Sequence, residues 1–401
     1  MHILFVSESY PPTSGGVATS TRRIASSLTK LGVQVDVVCF DNCRKFDDNI
    51  MSVQDYCDIQ IDESIRIFNL GPFFIKRSDI NADEIAEKKK AVLRRRLYNQ
   101  LLQLNNEYGP YDLILAFYLY NPGFLSLFLS RELGIPLITG VRGNDIGTNI
   151  FDLNRFAVTQ WVVDGSSRII CVNDHLKKML NLFAPHASKK VSVIHNSVDI
   201  SVYERPKQKD RVSLIHKFGW NESDTILVFN GNLREKKGAQ ILIEAVNNCG
   251  ENNIRLLLIG KQPNKEEIGA LFNTWNSLCS NNIAACTNHL ERNEIPQLLN
   301  ACDIVLMPSI EDGLPNGLLE GMAAKNSPIV TDIFSDIIID NMNGLVVPKN
   351  DVQSLKNAII HLSKNKNLAK QLGLEARKTV EHWTPEQEAK KYLEVFNEVI
   401  G

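Results

Sequence analysis

Asp312 and Glu320 stand eight residues apart in the stretch EDGLPNGLLEGMA, residues 311–323. The plain reading is a loop entering a helix, capped by Asp312 or Asn316, with Pro315 near the first turn and Leu318 and Leu319 facing the core. That reading leaves Glu320 unexplained, because Gly321, Ala323 and Ala324 around it are the small residues of a buried side. A carboxylate one turn into a helix leans back toward the helix N-terminus. From there it can accept hydrogen bonds from both hydroxyls of a ribose.

Two other stretches suit anions. In GNLREKKG, Arg234, Lys236 and Lys237 crowd a loop that opens a helix. Cations oppose the helix dipole at that end, and a bound anion resolves the conflict. The alternative is a solvated basic turn. Near the N-terminus, Gly15 and Gly16 precede a helix with no acidic residue in its first turn. Bare amides at such a terminus attract phosphate, and the alternative is a tight glycine turn after Pro11 and Pro12. Together these groups fit a nucleotide diphosphate sugar: cations and amides for the pyrophosphate, Glu320 for the ribose, Asp312 and the turn amides for the sugar.

Other chemistries are disfavoured. There is no G-x-G-x-x-G fingerprint and no P-loop, which argues against a nicotinamide dehydrogenase and a P-loop enzyme. The eight cysteines form no C-x-x-C pair and the eight histidines are dispersed, so no metal is expected and the thiols suit a reducing cytoplasm. A net charge of −2 gives no pull toward nucleic acid. The first residues, MHILFVSES, read as a buried strand rather than a signal peptide. The longest apolar region, 113–128, is broken by Asn121, Pro122 and Gly123 and is too short to span a membrane.

These loops need a frame to hold them. Apolar runs at 3–6, 33–40, 112–117, 136–141, 168–172 and 191–194 alternate with segments of helical period. After a polar connector at about 199–224 the alternation restarts at 226–230, 255–260, 283–286, 304–308, 327–331 and 345–347. The pattern predicts two doubly wound, Rossmann-like α/β domains with parallel sheets, which 401 residues accommodate. Ligands bind at the carboxyl ends of such sheets, here expected along a cleft between the domains.

With these motifs in order along nearly the whole length, the chain resembles glycosyltransferase family 4, retaining enzymes of the GT-B fold. The resemblance runs through the PP…GG opening, VRGNDI, RIICVNDHLKKML, VIHNSVD, GNLREKKG, LLLIG, DIVLMPS, DGLPNGLLEGMA, NGLVVP with Asp351, and HWTPEQ. It implies an acceptor domain over 1–198, completed by a helix at about 385–401, and a donor domain over 199–384. It also implies transfer of a sugar, from a UDP-, GDP-, ADP- or TDP-sugar, to an acceptor hydroxyl without metal or other cofactor. The E-x7-E motif falls on Asp312, near the transferred sugar, and Glu320, on the ribose. The backbone of Gly313, Leu314, Pro315 and Asn316 lines the sugar, and Gly317 also binds the donor. Lys237 matches the phosphate-binding lysine, and Gly16 holds the diphosphate from the other domain.

The chain departs from the family at several places. The partner arginine of that lysine falls on Asn232, so Arg234 or Lys236 is expected to supply the second charge, from a loop exposed without ligand. Arg142, Asn144 and Asp145 stand on the acceptor or sugar side, in a motif that usually opens with histidine. The glycine pair after Pro328 is missing. These changes leave a catalytically degenerate partner subunit as an alternative, and the rival enzyme is a GT-B nucleotide-sugar epimerase. Finally, Lys88, Lys89, Lys90, Arg94, Arg95 and Arg96 crowd one helical stretch, on which Lys88, Lys89, Arg95 and Arg96 gather opposite Leu93, Leu97, Leu101 and Leu104. They form either a solvated face over a core stripe or a weak peripheral contact with an anionic membrane at 88–96.

Overall fold

The computed structural model describes residues 1–13, 15–40, 58–71, 83–204, 207–287, 290 and 293–401, leaving aside the side chains of 58, 83–90 and 207. The chain forms two compact units, Met1–His195 with Pro385–Gly401, and Asn196–Thr384.

The first unit holds β1 (His2–Ser7), β2 (Gln34–Phe40), β3 (Asp58–Asp62), β4 (Ile65–Leu70), β5 (Leu113–Phe117), β6 (Leu137–Val141), β7 (Arg168–Cys171) and β8 (Val191–Val193). They make one sheet in the order β3-β4-β2-β1-β5-β6-β7-β8. All neighbours are parallel except β3 and β4, which pair antiparallel. Ile3, Leu4, Phe5 and Val6 are fully buried, as expected of strands covered on both faces. The β3–β4 pair was not expected. Its outer strand reads DIQID and leaves Ile59 and Ile61 exposed, a sheet edge rather than a core strand.

Residues 385–401 return to this first unit. Helix Pro385–Ile400 buries Ala389, Tyr392, Val395 and Phe396 in the same cluster as Ile24 and Leu28 of helix Gly16–Lys30. Arg23 donates to both Glu388 oxygens, at 2.8 and 3.2 Å, and the carboxylate is almost fully buried. Removing one partner of such a pair typically costs about 3–5 kcal/mol.

The second unit holds β9 (Thr225–Asn230), β10 (Ile254–Ile259), β11 (Ala284–Thr287), β12 (Ile304–Met307), β13 (Ser327–Thr331) and β14 (Leu345–Val347). Its sheet, β11-β10-β9-β12-β13-β14, is parallel throughout. The segment before β9, expected to be polar connector, contains helix Lys207–Phe218, which buries Leu214 and Ile215. Its charged sequence hides a narrow apolar side.

In each sheet the first strand has its successor on one side and a later strand on the other. The order therefore reverses between β1 and β5, and again between β9 and β12. Loops diverge at such a reversal and open a crevice at the carboxyl ends of the strands.

The basic stretch lies on helix Asp83–Tyr108. Leu93, Leu97, Leu101 and Leu104 are buried as a core stripe. The Lys88, Lys89 and Lys90 side chains lie outside the described residues. Arg94 turns inward and donates to the Tyr120 hydroxyl at 2.8 Å, while Arg95 is exposed. Among the described residues, no helix is long and apolar enough to cross a membrane.

Candidate active site

The crevice of the second unit is framed by the loop after β9 and the loop after β12. The Lys236 carbonyl accepts the amides of Ile310 and Glu311, at 2.8 and 3.1 Å, which locks one loop to the other. Gly238 has a positive φ of 75°, and a Cβ there would collide with the Pro308 carbonyl. Only glycine lets the loops come so close.

Lys237 and Asp312 meet in this crevice. The Lys237 Nζ lies 3.4 Å from Asp312 Oδ2, with the side chains 22% and 15% exposed. The expected exposed lysine is therefore partly buried, because it has a carboxylate to pair with. The other Asp312 oxygen accepts the Gly313 amide at 2.9 Å. Burial lowers the pKa of Lys236; Asp312 and Glu311 oppose the shift, and Lys237 and Arg234 reinforce it. Arg234 is exposed, and its carbonyl accepts the Lys237 and Ala239 amides. The Asn232 Oδ1 accepts the Lys261 amide at 3.3 Å, which ties the β9 loop to the end of β10.

Helix Asn316–Ala323 begins beside this pair. Capping by Asp312 or Asn316 does not occur: Pro315 occupies the N-cap position and no side chain caps the helix. Asp312 is turned to Lys237 and the Gly313 amide instead. The DGLPN turn is held from below by Asn196, 3% exposed, whose side-chain amide donates to the Leu314 carbonyl at 2.6 Å. Leu318 and Leu319 are fully buried. At Gly317 a Cβ would strike the Asn230 carbonyl, so the helix packs directly on the end of β9. Glu320 accepts from the Asn230 side-chain amide at 2.5 Å and stays partly exposed. That explains a carboxylate among small residues: the helix is too close to the strand for a bulkier neighbour, while Glu320 reaches the strand end.

Gly15, Gly16, Arg142, Asn144 and Asp145 belong to the first unit. Gly15, with φ 145°, is the N-cap of helix Gly16–Lys30, which has no side-chain cap and no acidic residue in its first turn. Asp145 is fully buried and accepts the Leu119 and Arg142 amides, both at 2.7 Å, joining the loops after β5 and β6. Burial pushes its carboxyl up to about 6, against the pull of those amides and the Arg142 charge. The Arg142 guanidinium lies 4.4 Å from the centre of the Phe117 ring, and Asn144 is exposed. Sequence reasoning missed Glu8, which follows β1. Burial, and then the Asp145 charge, raise its carboxyl to about 7, with Arg155 opposing. Its only signal was position, one residue past a strand end.

No group of three or more metal-type side chains occurs among the described residues. Residues 14–202 match the family model described as Glycosyltransferase Family 4, and residues 210–379 the one described as Glycosyl transferases group 1. An uncharacterized glycosyltransferase of Methanocaldococcus jannaschii is 27% identical over 271 residues, 65% of this chain and 68% of that protein. The N-acetyl-alpha-D-glucosaminyl L-malate synthase of Bacillus anthracis is 24% identical over 331 residues, 73% and 81% of the two chains. The crystal structure of Anabaena HepE in complex with UDP-glucose superposes with a TM-score of 0.73 at 17% identity, covering 99% of this chain and 100% of that one.

Proposed function

The chain belongs to glycosyltransferase family 4 and is a glycosyltransferase of the GT-B fold, and from that premise we propose that it moves a sugar from a nucleotide diphosphate sugar to an acceptor hydroxyl with retention of configuration. The observation that carries this reading is the Lys237–Asp312 pair at the β9/β12 crevice, with Glu320 on the helix beside it.

In this reading the second unit takes the donor. Glu320 accepts hydrogen bonds from the ribose hydroxyls. Lys237, Arg234 and Lys236 meet the diphosphate, and Lys237 exchanges Asp312 for a phosphate oxygen. Asp312, Gly313, Leu314, Pro315 and Asn316 then face the sugar. The bond from the anomeric carbon to the diphosphate breaks while the acceptor oxygen bonds the same face of that carbon. The hydroxyl proton passes to the departing phosphate oxygen. Preorganised positive charge on a leaving group is often the largest catalytic contribution, so the reaction is expected to survive chelation of divalent metal.

The UDP-glucose complex of HepE and an Escherichia coli relative, 24% identical over 210 residues, whose name gives UDP-Gal as donor, favour a uridine donor over the other bases. A thermal-shift panel with UDP, GDP, ADP and TDP tests this. A ligand at a hundred times its Kd adds about 2.7 kcal/mol of apparent stability, so UDP should raise Tm by several degrees. If no nucleoside diphosphate stabilises the protein, the donor reading fails.

A further inference from the structure

The second unit has a cavity of about 490 Å³ at the end of its sheet away from the Lys237–Asp312 pair. Thr225 opens β9, Asp303 precedes β12 and Lys325 precedes β13, so the cavity lies at the amino ends of the strands. At about 3.3 Å per residue, the six residues of β9 set it roughly 20 Å from the other crevice. Another wall is the start of helix Lys366–Val380, through Lys366, Lys370 and Leu374.

That helix start favours an anion. Asn365 stands at the N-cap position, but no side chain caps the helix; its side-chain amide donates instead to the His361 carbonyl at 2.7 Å. The first turn has no acidic residue and begins with Lys366, with Lys370 one turn on. Two cations beside the positive end of a helix dipole are unfavourable until an anion joins them. Lys366 shares its ammonium with the Ser223 carbonyl at 2.7 Å, which neutralises nothing. Asp303 is the single carboxylate in the lining, and it is already answered. Both its oxygens lie 3.0 Å from Arg211 Nη1, and one accepts the Ile226 amide at 2.8 Å.

A second observation is independent of charge. Thr225 lines the cavity and is 3% exposed, yet its Oγ1 has no hydrogen-bond partner among the described residues. A buried hydroxyl without a partner is unfavourable. An acceptor oxygen arriving in the cavity would supply one. The volume is that of pockets for small organic ligands rather than for a bare anion. Leu374, 40% exposed, gives such a ligand apolar surface to cover.

We propose that this cavity binds the phosphate group of a small phosphomonoester, at a site separate from the donor's. Thr225 Oγ1, the Lys366 and Lys370 ammonium groups and the first amides of the helix donate to the phosphate oxygens. The organic body lies over Leu374. The proposal does not depend on the sugar-transfer reading.

The test is calorimetry on the full chain at constant ionic strength, with glucose 6-phosphate, inorganic phosphate and glucose as probes. Glucose 6-phosphate should bind more tightly than inorganic phosphate, and glucose should not bind. Lys370→Gln and Thr225→Val should each weaken glucose 6-phosphate about tenfold, as loss of a hydrogen bond to a charged group does. Thr225→Val keeps the shape and the net charge, so its effect cannot come from the overall field. Lys237→Ala, in the other crevice, should leave the affinity native. The proposal is overturned if neither phosphate binds, or if both cavity variants keep native affinity. It is also overturned if Lys237→Ala abolishes binding, which would put the anion in the other crevice. Equal affinity for the two phosphates would overturn the organic body.

Discussion

The two crevices share a strand order and differ in how they treat charge. In the second unit, charge is answered at close range: Lys237 sits against Asp312, Asp312 also holds the Gly313 amide, and Glu320 holds Asn230. In the first unit, Arg142 and Arg155 lie against the Phe117 and Tyr120 rings, Asp145 is occupied by amides, and burial and the Asp145 charge push the Glu8 carboxyl up to about 7. A crevice with three cations on one loop and a displaceable carboxylate fits a ligand carrying charge. A crevice whose carboxyls are pushed toward their neutral forms fits a less charged one. The same topology can thus be specialised by a handful of residues at strand ends.

The comparison breaks most severely at Lys237. Lys237→Ala should lower turnover by on the order of 10²–10³ with little loss of stability, because its ion-pair partner Asp312 keeps the Gly313 amide. Arg234→Ala with equal damage would show that it shares the diphosphate; if neither variant slows turnover, the second crevice does not hold the leaving group.

The next effect separates the crevices by pH. Glu8 and Asp145 ionise near 4.5 and 3.8 when unperturbed, but near about 7 and about 6 in the fold. The folded state thus binds more protons between these values. Their stabilisation is complete below about pH 4 and is lost as pH rises to about 7. Glu8→Gln removes the Glu8 share, at most on the order of 3 kcal/mol. Melted at pH 8 and at pH 4.5, the variant should gain on the native chain only at the higher pH. An equal difference at both would mean that Glu8 is not strained by burial.

The smallest expected effect is at Glu320. Glu320→Gln replaces a charged acceptor with a group that is half donor, and charge-assisted bonds contribute about 1.5–3 kcal/mol. UDP affinity should fall roughly tenfold to a hundredfold, read by calorimetry. Unchanged affinity would leave Glu320 as a structural partner of Asn230 alone.

The parallel strands were legible because short buried apolar runs, set between helical periods, have few other readings. Strand β12, for example, was expected at 304–308 and is found at Ile304–Met307. The β3–β4 edge and helix Lys207–Phe218 were not legible, since each shows water a mainly polar face. In the candidate site, the spacing of Asp312 and Glu320 pointed to a strand-to-helix loop, and the basic run pointed to its neighbour. What spacing did not show was that Lys237 would pair with Asp312, because the two lie 75 residues apart and meet only through the β9–β12 pairing. Glu8 had no motif to announce it. Its environment is made by Asp145 and Arg155, from loops that only the fold brings to it.

Helix Pro385–Ile400 has a consequence for synthesis. The ribosome finishes the second unit before it makes the helix that covers Ile24 and Leu28. The unit begun first is therefore completed last. Its apolar seam stays open through the translation of nearly four hundred residues, until Arg23 meets a glutamate 365 positions downstream. A contiguous second unit can close while the first still waits, so the order of maturation runs opposite to the order of the message.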